Sequence, residues 1–407
     1  MSQPLPIAPV GPPTDAALAP LARFYFLAYA GVGITLPYLP QHLKALGLSG
    51  ADIGLLLGLG PLAAMLFPPV WGYLADKTRR AGELLSAATC GSALAWAPLL
   101  FATQRISIAP WLALQALFSS PVAMLADSLT LERVRGAGGL YSRVRLWGSV
   151  GFIATALGFG LLYDGERASP PKVIVAALGM GALSFLASLK VRGPAAARPS
   201  PRILEVASLL RDGRVRRLLA ATTLHWIAFS PYNILFTVHL KDLGLGPTVA
   251  GMGLATGVLA EVAVMGAYRN LAARVSAPRI LLVSFAASSV RWLLLGLSSS
   301  AVPMVLLQVA HGLSFGAFMV TSVAYLATLV PARLRATGQA LYVCTTYGLG
   351  GLIGNVVTGH LYDLWPARAI FFAAAAVELL PALLASTLPP SATPREARPE
   401  VGFEATP

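Results

Sequence analysis

Charged residues are scarce in this sequence of 407 residues. Asp, Glu, Lys and Arg together make up 12% of the chain, about half of the ~25% that is usual in soluble domains. A soluble protein of this length would fold as two or three domains with charged surfaces, and the chain has too few polar residues to cover them. Hydrophobic residues reach 56% and the mean hydropathy is +0.70, so the composition argues against a soluble enzyme.

Cysteine is nearly absent as well. The two cysteines, Cys90 and Cys344, lie in apolar runs far apart in the sequence, which excludes a disulfide framework and gives no metal-ligand spacing. The sequence also lacks a glycine-rich phosphate loop ending in Lys and Ser or Thr, a Cys-x-x-Cys and a His-Glu-x-x-His. We therefore expect no catalytic residues, no bound metal and no cofactor, and an ATP-driven pump is disfavoured.

Long apolar runs are what the chain does contain. A helix that spans a bilayer needs about 20 mostly apolar residues, because its backbone must satisfy its own hydrogen bonds in hydrocarbon. The sequence predicts an all-α membrane protein with twelve transmembrane helices in a lipid bilayer. The predicted spans are residues 21–41, 51–74, 83–103, 108–131, 146–164, 172–191, 217–240, 248–271, 279–299, 302–329, 337–362 and 367–388.

Basic residues outnumber acidic ones, 30 to 17, and their positions predict the topology. If the N-terminus is inside, 23 Lys and Arg residues fall in inner segments, 6 fall in outer loops, and Arg291 lies within a span. Because cytoplasmic loops carry an excess of Lys and Arg, we expect both termini to be cytoplasmic and the protein to lie in the cell inner (plasma) membrane. The positive charge is then a topology signal, and no nucleic-acid partner is expected.

The second half of the chain repeats parts of the first. The segment His42–Leu48 recurs 197 residues later as His239–Leu245, and Leu162-Tyr-Asp164 matches Leu361-Tyr-Asp363. Repeats of six spans are an architecture of secondary transporters, which bind substrate between the halves near the bilayer midplane. We predict a disordered N-terminal tail (1–20), a six-helix half (21–191), a cytoplasmic linker with a short helix (192–216), a second six-helix half (217–388) and a disordered cytoplasmic tail (389–407).

The loop between spans two and three carries the most specific motif, Gly72-Tyr-Leu-Ala-Asp-Lys-Thr-Arg-Arg80. It resembles the signature of the major facilitator superfamily, which reads Gly, three residues, Asp, a basic residue, any residue, Gly and two basic residues. Four positions fit that signature: Gly72, Asp76, Lys77 and Arg80. Arg79 replaces the second glycine, and Ala81 replaces the last basic residue. The stretch 141–152 further resembles the branch that includes phenylpropionate permease-like and lactose permease-like proton symporters.

The resemblance implies the major facilitator fold with two pseudo-symmetric six-helix halves that work by alternating access, and we expect a monomer. It also implies that Asp76, with Arg80, holds a cytoplasmic gate shut. The predicted gate residues are Gly72, Asp76, Lys77, Arg80, Asp127, Arg143 and Arg145. The alternatives are a solvated charge cluster that sets only the topology at Asp76, and a plain interfacial ion pair between Asp127 and an arginine.

Three ionisable residues lie within spans eight, nine and ten: Glu261, Arg291 and His311. Such residues are costly in a bilayer and are functional candidates by default. A carboxylate in hydrocarbon tends to bind a proton, whereas beside an arginine it tends to stay charged, and a proton-coupled carrier requires this competition. The symporter branch carries an acid, an arginine and a histidine on the same three helices, which implies proton coupling for these residues. The alternatives are a static pair of Glu261 with Arg291 and a structural hydrogen bond of His311.

Two further positions qualify that resemblance. The symporters carry another acid one turn beyond the histidine, where this chain has Ser314 or Phe315. Glu378 lies in span twelve, and we expect it to face a neighbouring helix or to snorkel, because spans three, six, nine and twelve are usually peripheral in this family.

Substrate contacts are expected from spans one, four, seven and ten, which line the cavity in this family. The polar and aromatic candidates are Tyr25, Tyr29, Gln115, His225, Trp226, Asn233, Gln308 and His311. Aromatic faces beside amides suit a sugar or a nucleoside, and also an aromatic acid if a cation supplies the counter-charge, although each residue could instead make an interhelical contact. We predict proton-coupled symport of a small polar solute. The alternatives are proton-antiport efflux of drugs or metabolites and a non-transporting membrane sensor or scaffold.

Overall fold

The computed structural model describes residues 15–134, 138–163, 171–193 and 203–390. All regular elements within these ranges are helices, and 3₁₀ and π turns that continue a helix are counted with it. They are α1 (Asp15–Ala45), α2 (Gly50–Leu66), α3 (Pro68–Thr78), α4 (Ala81–Leu100), α5 (Arg105–Arg133), α6 (Gly138–Leu162), α7 (Lys172–Ser188), α8 (Ile203–Arg211), α9 (Gly213–Asp242), α10 (Pro247–Ala272), α11 (Ala277–Leu297), α12 (Ala301–Leu329), α13 (Ala332–Leu364) and α14 (Ala367–Ser386).

The helices agree with the predicted all-α membrane fold. Among the described residues, nine helices are long and apolar enough to cross a membrane, and ten if α2 and α3 form one bent span. The two other predicted spans coincide with α7, which is 17 residues long, and with α9, whose first turns carry several arginines. Eleven of the twelve predicted spans therefore fall on one helix each, and the second falls on the bent pair α2 and α3. The short helix predicted in the linker is present as α8.

Several predicted regions lie partly outside the described residues. These are residues 1–14 of the N-terminal tail, 194–202 of the linker, 391–407 of the C-terminal tail, and Asp164 of the second repeated motif. Residues 15–20, which we predicted to be part of the tail, form the first turns of α1. The helix can begin this early because Ala and Leu, which have high helix propensity, dominate residues 16–22.

The helices group into two compact units. The first contains α1 and α3–α7, and the second contains α2 and α8–α14. Buried aliphatic and aromatic side chains form the core of each unit, with Leu21, Leu85 and Leu125 in the first and Leu218, Phe285 and Phe318 in the second. Contacts thus group α2 with helices of the second unit, although it belongs to the predicted first half of the sequence.

Glycines explain why α2 packs so closely on α13. Gly50, Gly54 and Gly58 recur every four residues on one face of α2. A Cβ atom added at Gly54 would collide with the carbonyl oxygen of Asn355 and with Gly359 on α13. Small residues at this spacing allow two helix backbones to approach closely within a membrane.

An acid of α13 caps the N-terminus of α2. The carboxylate of Asp363 accepts hydrogen bonds from the backbone N–H groups of Gly50 at 2.6 Å and Ala51 at 2.8 Å. The first N–H groups of a helix have no partner within it, and the helix dipole favours a negative charge there. Asp363, from the second repeated motif, therefore fastens α2 within the second unit.

The first repeated motif ends a helix in the same way in both units. Gly47 and Gly244 adopt the left-handed conformation, with φ of 83° and 75°. In each copy the N–H of the next leucine donates to a carbonyl oxygen five residues back, at 3.4 and 2.9 Å. This is the Schellman arrangement, which favours glycine at the left-handed position. The two copies therefore share a local fold as well as a sequence.

Candidate functional site

A buried cluster around Arg291 joins α11 to α12 within the second unit. Arg291 is 1% exposed. Its Nη1 donates to Oγ of Ser314 at 2.9 Å and to Nδ1 of His311 at 3.2 Å, and its Nη2 donates to Oε1 of Gln308. The amide nitrogen of Gln308 donates in turn to the carbonyl oxygen of Met304 at 2.8 Å, which fixes the orientation of that amide. The guanidinium thus has three side-chain acceptors on one helix.

Arg291 also determines which ring nitrogen of His311 carries the proton. An arginine has donors alone and stays charged, so Nδ1 of His311 must accept and the proton sits on Nε2. That Nε2 faces Oε2 of Glu261, on α10, at 3.9 Å. His311 therefore lies between Glu261 and Arg291, for which the sequence suggested a direct pair. Glu261 is the member of this trio that can take up a proton while the contacts of Arg291 stay intact.

A second buried carboxylate, Glu378 on α14, lies in the same unit and is fully buried. Its Oε1 accepts a hydrogen bond from Nε1 of Trp292 at 3.0 Å, and its two oxygens lie 2.9 and 3.0 Å from Nδ1 of His225. Nε2 of His225 donates to the carbonyl oxygen of Ser314 at 3.1 Å. Sequence reasoning missed this role for Glu378, although a lone acid in an apolar span is the signal that identified Glu261.

Ser314 connects the two buried clusters. Its hydroxyl accepts from Arg291 and its carbonyl oxygen accepts from His225. It lies in a π-helical turn at Gly312–Ala317 within α12, and such turns are frequent at functional sites. A network of side chains from five helices, α9, α10, α11, α12 and α14, is therefore continuous from Glu261 to Glu378.

Aromatic rings surround this network. The guanidinium of Arg291 lies 4.3 Å from the ring centre of Tyr232 and 4.7 Å from that of Trp292, within the range of cation–π attraction. Trp226 is half-buried and stacks on Phe229 at 5.3 Å. Asn233, also half-buried, lies on α9 two turns beyond Trp226. Four predicted substrate residues of this unit, His225, Trp226, Gln308 and His311, are thus part of the network or pack against it.

In the first unit, two tyrosines of α1 link a predicted acid to a predicted arginine. The hydroxyl of Tyr25 donates to Oδ1 of Asp127 at 2.6 Å, and Nη2 of Arg145 donates to the hydroxyl of Tyr29 at 2.6 Å. The guanidinium of Arg145 also lies 4.1 Å from the ring centre of Tyr29, and the two tyrosine rings are stacked. Predicted gate and substrate residues therefore form one cluster here, with Arg143 exposed two residues before Arg145 on α6.

A cavity of about 220 Å³ opens beside this cluster, within the first unit. Tyr25, Tyr29 and Gln115 line it, and the Gln115 amide donates to Oγ of Ser92 at 3.3 Å. Four further lining residues carry hydroxyls that each donate to a backbone carbonyl oxygen of their own helix: Thr35, Thr89, Ser119 and Ser184. A cavity with aromatic faces, hydroxyls and an amide can hold a small polar solute.

The residues of the predicted signature loop lie apart from the tyrosine cluster. Asp76, Lys77 and Arg80 are exposed at the end of α3. Arg80 pairs with Glu83 at 3.4 Å, and such exposed pairs contribute little to stability. Gly72 is half-buried, with Met124 next to the position that a Cβ would occupy. The predicted gate residues therefore occupy two separate places in this unit.

Arg79 keeps the backbone conformation of the glycine that it replaces in the signature. Its φ is 53° and its ψ 28°, and its N–H donates to the carbonyl oxygen of Ala75 at 2.9 Å, which ends α3. A non-glycine residue in the left-handed region costs roughly 1–2 kcal/mol.

We therefore expect Arg79→Gly to raise the stability of the protein by about 1 kcal/mol. The measurement is the thermal unfolding of the purified protein in detergent. Arg80→Gly is the matched control, because Arg80 has φ of −118° and gains nothing from glycine. A lower midpoint for Arg79→Gly than for the wild type would contradict the strain argument.

Several helices can cross a bilayer, the two units share a repeated helix end, and ionisable residues are buried on the spanning helices. Together these features define a multi-pass membrane transporter. The chain belongs to the MFS_1-like family, whose model matches residues 18–373, and so to the major facilitator superfamily of secondary transporters. It is a transporter rather than an enzyme.

Similar proteins agree with this assignment. The maltose permease of Geobacillus stearothermophilus is 33% identical over 355 residues, which cover 86% of this chain and 88% of that protein. A protein of Escherichia coli (strain K12) named a probable 3-phenylpropionic acid transporter is 29% identical over 383 residues, with 91% and 98% coverage. The crystal structure of the nucleoside transporter NupG matches with a TM-score of 0.79 at 18% identity, covering 91% of this chain and 98% of that one.

Proposed function

We propose that this transporter couples the movement of protons to the uptake of a small polar solute by alternating access. The Glu261–His311–Arg291 arrangement carries the proposal. A protonatable carboxylate faces a neutral histidine, and that histidine is held by a permanent cation. Protonation of Glu261 changes the net charge of this buried set by one unit, which is costly in a low-dielectric interior. A proton can therefore alter which arrangement of the helices is favoured.

The proposed substrate class is a sugar, a nucleoside or an aromatic acid. The relatives named for maltose, for 3-phenylpropionic acid and for nucleosides support these three classes. The largely apolar cavity beside Tyr25, Tyr29 and Gln115 supports a small solute that offers a ring face and a few hydrogen-bonding groups, as members of all three classes do. Arg145 could supply the counter-charge for an acid.

The proposal also covers location and assembly. The excess of Lys and Arg in one set of loops supports an inner (plasma) membrane protein with both termini in the cytoplasm. One chain contains both repeats, which supports a monomer, and a positive charge that serves the topology supports a protein without a nucleic-acid partner.

Uptake by proteoliposomes tests the proposal. Purified protein is reconstituted, and the uptake of radiolabelled maltose, uridine and 3-phenylpropionate is followed with a proton gradient directed inward, outward or absent. We expect one of the three to accumulate under the inward gradient, and a protonophore to abolish that accumulation. Accumulation under the outward gradient would instead favour proton-antiport efflux, and indifference to both gradients would contradict proton coupling.

A further inference from the structure

The hydrogen bonds of His225 and Glu378 determine how many protons this pair holds. His225 has an acceptor at each ring nitrogen: the carbonyl oxygen of Ser314 lies 3.1 Å from Nε2, and the Glu378 carboxylate lies 2.9 Å from Nδ1. A carbonyl oxygen accepts and cannot donate, so Nε2 carries a proton. The contact between Nδ1 and the carboxyl group needs one further proton, on either the ring or the acid. Without it, two acceptors would face each other.

This proton is enclosed by other side chains. His225 and Glu378 are each fully buried. Rings of Phe285 and Phe318 pack on His225 at 5.0 and 4.2 Å, and α11 contributes the donor Nε1 of Trp292 to the carboxylate. The charged or titratable groups of the network that connect to the pair through Ser314 are Arg291 on α11, His311 on α12 and Glu261 on α10, with Tyr232 of α9 against the Arg291 guanidinium.

Charge balance links the pair to Glu261. With its shared proton the pair is neutral, and the charge of Arg291 is then compensated by an ionised Glu261. When Glu261 takes up a proton, the buried network carries one uncompensated positive charge, which is costly. Release of the proton shared by His225 and Glu378 leaves one negative charge on the pair and restores neutrality.

Ser314 converts the loss of that proton into a change of contacts. After release, His225 has one proton for two acceptors. A carboxylate is the stronger acceptor, so the ring proton moves to Nδ1 and the bond from Nε2 to the Ser314 carbonyl is lost. The hydroxyl of the same serine holds Arg291. Loss of the hydrogen bond to the Ser314 carbonyl therefore affects the Arg291 cluster through Ser314 itself, which lies in the π-helical turn.

We propose that His225 and Glu378 form a second proton-binding site of this transporter, which releases its proton when Glu261 binds one and signals through Ser314. The inference rests on the proposed proton-coupled function and extends it to α9 and α14. One proton leaves the pair for each proton that Glu261 gains, and no covalent bond other than those to hydrogen changes.

The first test needs no substrate. Purified Glu261→Gln, which mimics the proton-loaded acid, and the double variant Glu261→Gln/Glu378→Gln are titrated in detergent from about pH 5 to about pH 8, and the protons released by each are counted. Glutamine at position 378 keeps an acceptor for Trp292 and a donor for Nδ1 of His225, so it mimics the protonated acid without titrating. Because Glu261→Gln fixes the first site in its proton-loaded form, the release from the pair is not cancelled by uptake there, and we expect the single variant to release one proton more than the double variant. An equal count would overturn the proposal and leave a static buried pair. If the double variant does not fold, Glu378→Met in place of Glu378→Gln removes the same titrating acid with a side chain of similar size.

The second test separates this inference from the proposed function. Proteoliposomes with the wild type, Glu378→Gln, Glu261→Gln and the control Glu83→Gln are compared for gradient-driven accumulation of maltose, uridine and 3-phenylpropionate and for its pH profile. We expect Glu378→Gln to lose accumulation and to flatten the pH profile. Wild-type accumulation in Glu378→Gln, together with its loss in Glu261→Gln, would overturn the second site alone. Accumulation that survives in Glu261→Gln would contradict the proposed coupling residue instead, and the proton count would still decide the role of Glu378.

Discussion

Proteoliposomes that carry Glu261→Gln are expected to exchange labelled for unlabelled solute but not to accumulate it against a gradient. Glutamine resembles the protonated acid, so the variant remains in the proton-loaded form. His311 keeps an acceptor for its Nε2 proton, because the amide oxygen can take the place of the carboxylate oxygen that lies 3.9 Å away. Exchange requires no change in protonation, whereas accumulation requires the proton to be released on one side. The two assays therefore separate binding from coupling.

The matched control for this prediction is Glu83→Gln. Glu83 is an exposed acid that pairs with Arg80 at the start of α4, and its loss removes one negative charge from the same protein without touching the buried network. We expect wild-type accumulation and exchange from this variant. Accumulation in Glu261→Gln that equals the wild type would show that the carboxylate is part of a static structure.

Gly54→Ala is expected to destabilise the protein by about 1–3 kcal/mol, the usual range for an extra group in a packed interior. The added methyl would collide with the backbone of α13 at Asn355 and Gly359, so α2 and α13 must move apart. Separation also weakens the hydrogen bond from Nδ2 of Asn355 to the carbonyl oxygen of Leu57, which is 3.1 Å long. Thermal unfolding in detergent, followed by intrinsic fluorescence, measures the change.

Gly60→Ala, on the same helix, is the control for that prediction. No atom lies within 4 Å of the position that a Cβ would take at Gly60. Alanine is favoured over glycine within a helix by roughly 0.5–1 kcal/mol, so this variant should match or exceed the stability of the wild type. Equal destabilisation by both substitutions would show that helix propensity or the detergent, and not the contact with α13, sets the stability.

Most of the fold could be predicted because a bilayer imposes one requirement on every span. Apolar length alone located the helices, and the left-handed glycines at Gly47 and Gly244 follow from a motif visible in the sequence. The grouping of α2 with α13 could not be predicted. It depends on glycines whose partners lie about 300 residues away in the sequence. A glycine has no side chain from which the identity of its packing partner could be inferred.

The candidate site was predicted in part. Glu261, Arg291 and His311 stand out because charge within a span is costly, but the order of the three in space depends on helix rotation, which apolar sequence does not reveal. Glu378 was not included among the candidate site residues because its helix is usually peripheral in the family. In the structure it is buried on α14 and contacts Nδ1 of His225. The link between Asp127 and Arg145 through Tyr25 and Tyr29 depends on side-chain direction on α1.

The placement of α2 makes the second unit discontinuous along the chain. A polypeptide that begins at the linker would contain α8–α14 but would lack α2. That helix packs on Gly359, and its N-terminus is capped by Asp363. During synthesis α2 is made before α13, whose residues come nearly three hundred positions later in the chain. The packing of α2 on α13 can therefore form only after most of the chain has been made. Although the sequence reads as two tandem copies, the two parts of this protein cannot be cut apart at the linker without leaving one of them incomplete.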